Sequence, residues 1–283
     1  MRSRWKEVGL GLLTMVAALL AVYACQDTYR KYLPAGVGPL AVAATFLLVY
    51  LAGAHWIERR PVRELEPGRA RAELAAGLAT GVALFSAVMA VLWAMGTYHP
   101  KGWGSVQGVA NGLALAVTAG ILEELLFRGI LFRLSSRILG TWGALLFTSA
   151  LFGLAHLANR GATLGSSLAI MLEAGILLGA AYAATDHLWL PVGMHIGWNF
   201  TEGSVFGMSV SGNAADSGWL RGSLTGPRML TGGLFGPEAS IVAVFVCLFV
   251  AAYLLYRAVK LGRIEPPAWT HASRPSAMAL PRM

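Results

Sequence analysis

"LALAVTAGILEELLFRGILF", Leu113–Phe132, is the stretch whose reading decides the fold. Its apolar residues are numerous enough to cross the hydrocarbon core of a bilayer. Three ionisable groups, Glu123, Glu124 and Arg128, interrupt it. A charge at the bilayer centre costs at least ~2.5–3.5 kcal/mol on insertion scales, so three in one span need either mutual neutralisation or a function. Glu124 and Arg128 are four apart and share a helix face, which suits a structural ion pair. Glu123 is less well placed for that arginine and reads as a carboxylate left free to work.

The rest of the chain has the same character. Of its 283 residues 56% are hydrophobic and only 13% charged. A soluble domain of this length needs more charge to cover its surface, so the class is integral membrane protein. The net charge of +8 does not point to nucleic acid. The basic residues flank apolar segments instead of forming a stripe, which is the pattern of membrane topology. Cys25 and Cys247 lie in or beside apolar runs, with neither metal spacing nor a disulfide framework, and read as core cysteines. The basic start and apolar run of the N-terminus read as a retained first span, since more spans follow.

Eight spans are expected, at roughly 8–25, 36–56, 74–97, 110–132, 142–160, 165–185, 187–205 and 240–260. The fold class is therefore all-α, a polytopic membrane helix bundle with its active site inside. It forms a single membrane domain over 1–263 with a catalytic core near 110–215. The seventh span has the least helical pattern, because Pro191 and glycines interrupt it. Residues 59–73 read as a charged cytoplasmic linker with a solvated face, 201–239 as a Gly-rich extracytoplasmic loop and 264–283 as a disordered tail. With the N-terminus inside, 15 Arg and Lys fall on the cytoplasmic side and 6 outside. The positive-inside rule then places both termini in the cytoplasm. No internal repeat is evident, which counts against a repeat-built transporter.

The fourth and fifth spans form an antiparallel hairpin if the chain turns near Leu139–Gly140. Glu123 and His156 then lie at the same depth, each ~21 Å from the turn. In "FGLAH", Phe152 and His156 share a helix face, and in "HIGWN" His195 and Asn199 do. Glu173, on the sixth span, reads as a helix-bridging group or a second partner for Arg128. Phe152, Pro191 and Trp198 read as packing groups. His55, His99, His187 and His271 sit at span ends or in tails and receive no chemistry.

Taken together, Glu123, Glu124, Arg128, His156, His195 and Asn199 place six costly groups on spans that can face one interior, and such groups are functional by default in lipid. A carboxylate in low dielectric is a suitable general base near neutral pH. Glu123 with His156 can deprotonate a water, and His195 with Asn199 can donate hydrogen bonds to the oxyanion formed on an amide carbonyl. No serine or cysteine has an evident base beside it, so the nucleophile is water. Glu123, His156 and His195 also make a three-ligand zinc set, although "HExxH" is absent. Two other classes stay open: a proton-coupled transporter, for which "GGLFGPEAS" at 232–240 offers a faint chloride-channel likeness, and a non-catalytic membrane partner.

"EELLFRG", "FGLAH" and "HIGWN" resemble, in order and spacing, the EExxxR, FxxxH and HxxxN/D motifs of the CPBP family, the CAAX-protease and bacteriocin-processing intramembrane proteases. The likeness covers about 110–215, and "FTEGSVFGMSVSG" after Asn199 resembles bacterial members. It implies a glutamic-type membrane endopeptidase. Glu123 and His156 would activate water, His195 and Asn199 would form the oxyanion site, and Glu124 and Arg128 would organise them, with Glu173 supporting. It favours no cofactor, with zinc as the alternative. It also implies a membrane-bound or lipidated protein or peptide as substrate, in the bilayer of a bacterial inner membrane. The prenylated substrate of the eukaryotic member does not carry over, because many bacterial members act on others.

Overall fold

The computed structural model describes residues 2–214 and 218–270. Its long helices are α1 (Arg2–Tyr32), α2 (Val37–Ile57), α3 (Pro67–Ala94), α4 (106–139), α5 (141–155), α6 (Leu164–Thr185), α7 (189–205) and α8 (Ile241–Lys260). The chain is an all-α polytopic bundle. Among the described residues, 6 helical runs are long and apolar enough to cross a membrane. One of them, Val106–Ala158, contains both α4 and α5. Gly140 breaks it with φ 70° and ψ 175°, a conformation open to glycine at no steric cost. A straight helix would put Glu123 and His156 ~50 Å apart. Their side chains are in fact 3.9 Å apart, so the chain reverses at Gly140.

The seventh expected span is a short helix of mixed type. It has 11 residues of α-helix, Trp189–Asn199, continued by 6 of π-helix, Phe200–Val205. Nearly all of its α-helical part is buried, so α7 is the core of the bundle rather than a lipid-facing wall. It packs backbone to backbone on α3. A Cβ at Gly77 or Gly81 would strike the α7 backbone, and one at Gly193 or Gly197 would strike that of α3. Two Gly-xxx-Gly pairs facing each other are the membrane solution for close helix approach, where small residues replace the hydrophobic driving force. This contact fixes the rotation of α7, and with it the direction of His195 and Asn199.

Among the described residues, four stretches of π-helix interrupt the helices: Gly53–Ile57, Leu125–Phe132, Met171–Gly175 and Phe200–Val205. Such insertions free backbone carbonyls and recur at functional sites.

At one end of the bundle the helix ends are tied by charge. Arg133 Nη2 meets Glu58 at 2.7 Å, Arg60 meets Glu58 and Glu64 at 2.8 Å, and Arg137 pairs with Glu7. The linker 59–73 is thus more than a solvated face. Glu64 is buried, hydrogen-bonds Tyr50 of α2, and α3 already begins at Pro67. The start of the expected tail is docked at this end, where Glu265 exchanges backbone and hydroxyl hydrogen bonds of 3.0 and 2.8 Å with Thr141. Residues 271–283 lie outside the described part. At the other end a two-stranded antiparallel ribbon that the sequence pattern does not reveal pairs β1 (Tyr98–Trp103) with β2 (Leu220–Leu224), with a bulge between Pro100 and Gly102. β2 lies within the expected loop 201–239, whose first residues continue α7.

Candidate active site

Three helices meet at the level of Glu123. α4 brings Glu123, Glu124 and Arg128; the end of α5 brings Phe152 and His156; α7 brings His195 and Asn199. Glu123 Oε2 stands 3.9 Å from His156 Nε2 and 4.0 Å from His195 Nε2. This oxygen is buried and has no hydrogen-bond partner in the protein. Separations of this size are too long for direct hydrogen bonds and suit a small molecule held between the groups.

The other nitrogen of each imidazole is engaged. His156 Nδ1 lies 2.7 Å from the carbonyl of Phe152, and His195 Nδ1 lies 2.9 Å from Glu124 Oε1. A carbonyl or carboxylate oxygen only accepts, so both Nδ1 atoms carry the proton. Each ring therefore turns its Nε2 toward Glu123. Phe152 packs against both rings, with centroids 4.7 Å from His156 and 6.3 Å from His195.

Glu124 differs in role from its neighbour. Its Oε1 takes Arg128 Nη1 at 2.7 Å as well as His195, and both members of the ion pair are buried. Arg128 turns its other nitrogen to the carbonyls of Ala174 and Gly175, at 3.2 and 3.1 Å, and lies 4.8 Å from the Phe152 ring centroid. Those carbonyls belong to the end of the π-helical turn in α6. The expectation that Glu173 partners Arg128 is therefore corrected: the guanidinium caps backbone groups beside Glu173, while the Glu173 side chain accepts from Cys247 Sγ of α8 at 3.6 Å. A side chain's rotation about its helix decides this, and the π-turn alters that rotation.

The site has two cavities. A small one, with about 30 Å³ of water-accessible space, is bounded by His156, His195, Asn199 and Glu173 together with apolar residues such as Leu84, Ile170 and Leu177. A larger groove of about 470 Å³ runs along α4 from Gly108 to Glu123 and also meets His156 and Asn199. Three residues that sequence reasoning passed over appear here. Ser211 borders both cavities and holds φ 48°, a left-handed conformation that is costly for a non-glycine residue. Glu238, from the loop before α8, borders the small cavity, and burial pushes its carboxyl above the ordinary range although His156 opposes the rise. Glu202, one turn beyond Asn199, is fully buried beside Glu238. The signal for Glu202 was its place within the seventh expected span, 187–205; Glu238 had none, since it lies in a glycine-rich loop.

As for zinc, among the described residues no three His, Cys, Asp or Glu side chains form a group arranged to hold a metal ion.

Comparison with known proteins agrees with the motifs. Residues 105–201 match the family described as Rce1-like, type II CAAX prenyl endopeptidase Rce1-like. No curated protein and no solved structure matches the chain. The matched segment begins at the cap of α4 and ends just past Asn199, so it encloses every motif residue gathered around Glu123. Through this core the chain is similar to the Rce1-like CAAX prenyl endopeptidases, in the segment that carries the three motifs.

Proposed function

We propose that the protein is an intramembrane endopeptidase that hydrolyses a peptide bond of a membrane-associated protein or peptide with an activated water. The reading is carried by one observation: an unpartnered Glu123 oxygen faces the Nε2 atoms of two imidazoles at 3.9 and 4.0 Å.

The water gives a proton to Glu123, assisted by the His156 Nε2 lone pair, as its oxygen bonds the amide carbon. The carbonyl π electrons move to oxygen. His195 and Asn199 stabilise that oxyanion by donating hydrogen bonds. Because His195 Nδ1–H is committed to Glu124, His195 Nε2 donates only when the ring is an imidazolium. Glu124, itself ionised beside Arg128, supports that charge. The proton held by Glu123 then passes to the amide nitrogen, the C–N bond breaks, and the amine leaves while the acyl carbon becomes a carboxylic acid. Glu123, His156, His195 and Asn199 are the catalytic residues; Glu124 and Arg128 are positioning residues. The enzyme sits in a bacterial inner membrane with both termini cytoplasmic.

The test compares membrane-protein termini by mass spectrometry in cells carrying the wild type or Glu123→Gln. General-base catalysis contributes ~10²–10⁴-fold, so new termini should vanish in the variant while the protein still inserts. Termini unchanged by Glu123→Gln would refute the assignment. Activity of the purified protein should survive thorough chelation; loss restored by zinc would replace the water-only route with the zinc one.

A further inference from the structure

The groove along α4 runs from the reaction centre toward one end of the bundle. From Glu123 it passes Ala119, Ala116 and Gly112 to Gly108, toward the end of the bundle that carries the β-ribbon. Those residues recur at three- and four-residue steps, so they form one face of α4. The opposite wall is the turn 210–214 with Gly203 of α7, and Asn159, Asn199 and Asn213 line the space. Amide side chains carry both donors and acceptors and match the two polar groups of a peptide unit. From Gly108 to Glu123 is ~22 Å of helix. An extended strand of ~6–7 residues covers that length.

The charge distribution says which side this is. The helix ends joined by the Arg133–Glu58 and Arg137–Glu7 pairs, together with Arg59, Arg63, Arg257 and Lys260, lie at the end away from the groove mouth. The groove end has fewer basic residues, among them Lys101, Arg160, Arg221 and Arg228. By the positive-inside rule the basic end is cytoplasmic.

The geometry points to a substrate that enters from the extracytoplasmic side, as an extended peptide segment lying in the groove between α4 and the 210–214 turn with its scissile bond at Glu123. This rests on the peptidase reading above and narrows it. The substrate class is the extracytoplasmic juxtamembrane segment of a membrane-anchored protein or peptide. A prenylated tail on the cytoplasmic side has no route to Glu123 along this groove.

Access is measured independently of catalysis, on the full-length chain made inactive by Glu123→Gln, with Cys25→Ser and Cys247→Ala removing the native thiols. Ala119→Cys places a thiol in the groove one turn from the reaction centre, and Arg63→Cys places one at the basic end. A membrane-impermeant maleimide added to intact spheroplasts should label Ala119→Cys, and should label Arg63→Cys only after permeabilisation. Labelling in the opposite order, or Ala119→Cys accessible only after permeabilisation, would overturn the inference. If Ala119→Cys fails to accumulate, Thr118→Cys, also in the groove, replaces it with the same expectations. In the active protein, Glu123-dependent new termini should lie in extracytoplasmic segments; termini confined to the cytoplasmic side would overturn the inference and leave the peptidase assignment standing. Absence of any Glu123-dependent terminus would defeat the peptidase assignment, and the thiol labelling would still decide the direction of access.

Discussion

Replacing Arg128 by methionine tests the account of the site most severely, because the guanidinium satisfies several groups at once. Arg128 and Glu124 are 1% and 0% exposed, and they meet at 2.7 Å. Removing one member of a buried pair strands the other charge and costs ~3–5 kcal/mol. The Ala174 and Gly175 carbonyls also lose a charged donor. Two features offset part of this. His195, 2.9 Å from the same Glu124 oxygen, can carry the counter-charge, and a methionine sulfur can rest on Phe152 for ~0.3–1.5 kcal/mol. The net loss expected for Arg128→Met is thus about 3–5 kcal/mol, with Glu124 as its main source. If so, Glu124→Gln in the same chain should restore ~2 kcal/mol or more, since an uncharged pair leaves no stranded ion. Unfolding of the four proteins of this cycle in detergent micelles, followed by denaturant titration, gives the coupling directly. Arg128→Met within ~1 kcal/mol of wild type, or a double variant as unstable as the summed single losses, would refute the reasoning. The double variant should be folded and inactive, because His195 then lacks the carboxylate that supports its charge.

Other outcomes follow from the same geometry. Asn199→Ala should lower kcat by ~10²–10³ with little change in KM, as expected for loss of one oxyanion donor, measured on a peptide cut by the wild type. Gly197→Val should cost ~1–3 kcal/mol by overpacking, because a Cβ there comes 2.5 Å from Leu78 O and 3.1 Å from Val82 N; activity should fall further than protein level, since α7 carries His195 and Asn199. Burial alone would raise the Glu58 carboxyl, yet Arg133 and Arg60 outweigh it and hold the group below the ordinary glutamate range. The folded state therefore binds this proton less readily than the unfolded chain, so the stabilisation is complete above the unfolded value of ~4.3 and is lost as the pH falls through the lower folded value. Glu58→Gln should flatten that acid limb in a thermal-unfolding series, and an unchanged limb would contradict the pairing.

Much of this arrangement was legible in the residues. A helix repeats every 3.6 residues, so the sharing of a face by Glu124 and Arg128, by Phe152 and His156, and by His195 and Asn199 follows from spacing alone. The reversal at Gly140 was legible as well, because two apolar runs on either side of it need separate crossings. Other features were not. The β-ribbon joins Tyr98–Trp103 to Leu220–Leu224 across more than a hundred residues, and neither strand alternates cleanly. The π-turns are register changes inside helices and leave no mark in composition.

By itself, then, the sequence determined the membrane class, the number and order of the helices and the motif residues, because burial periodicity and the exclusion of charge from lipid act on neighbours along the chain. Only the tertiary structure decided who meets whom between helices: Glu124 with His195, Arg128 with the Ala174 and Gly175 carbonyls instead of Glu173, and Glu123 between two imidazoles. Those pairings depend on how far each helix is rotated and how closely it approaches its neighbour. The glycine faces of α3 and α7 and the π-turns set both quantities, and no residue expresses them before the helices pack.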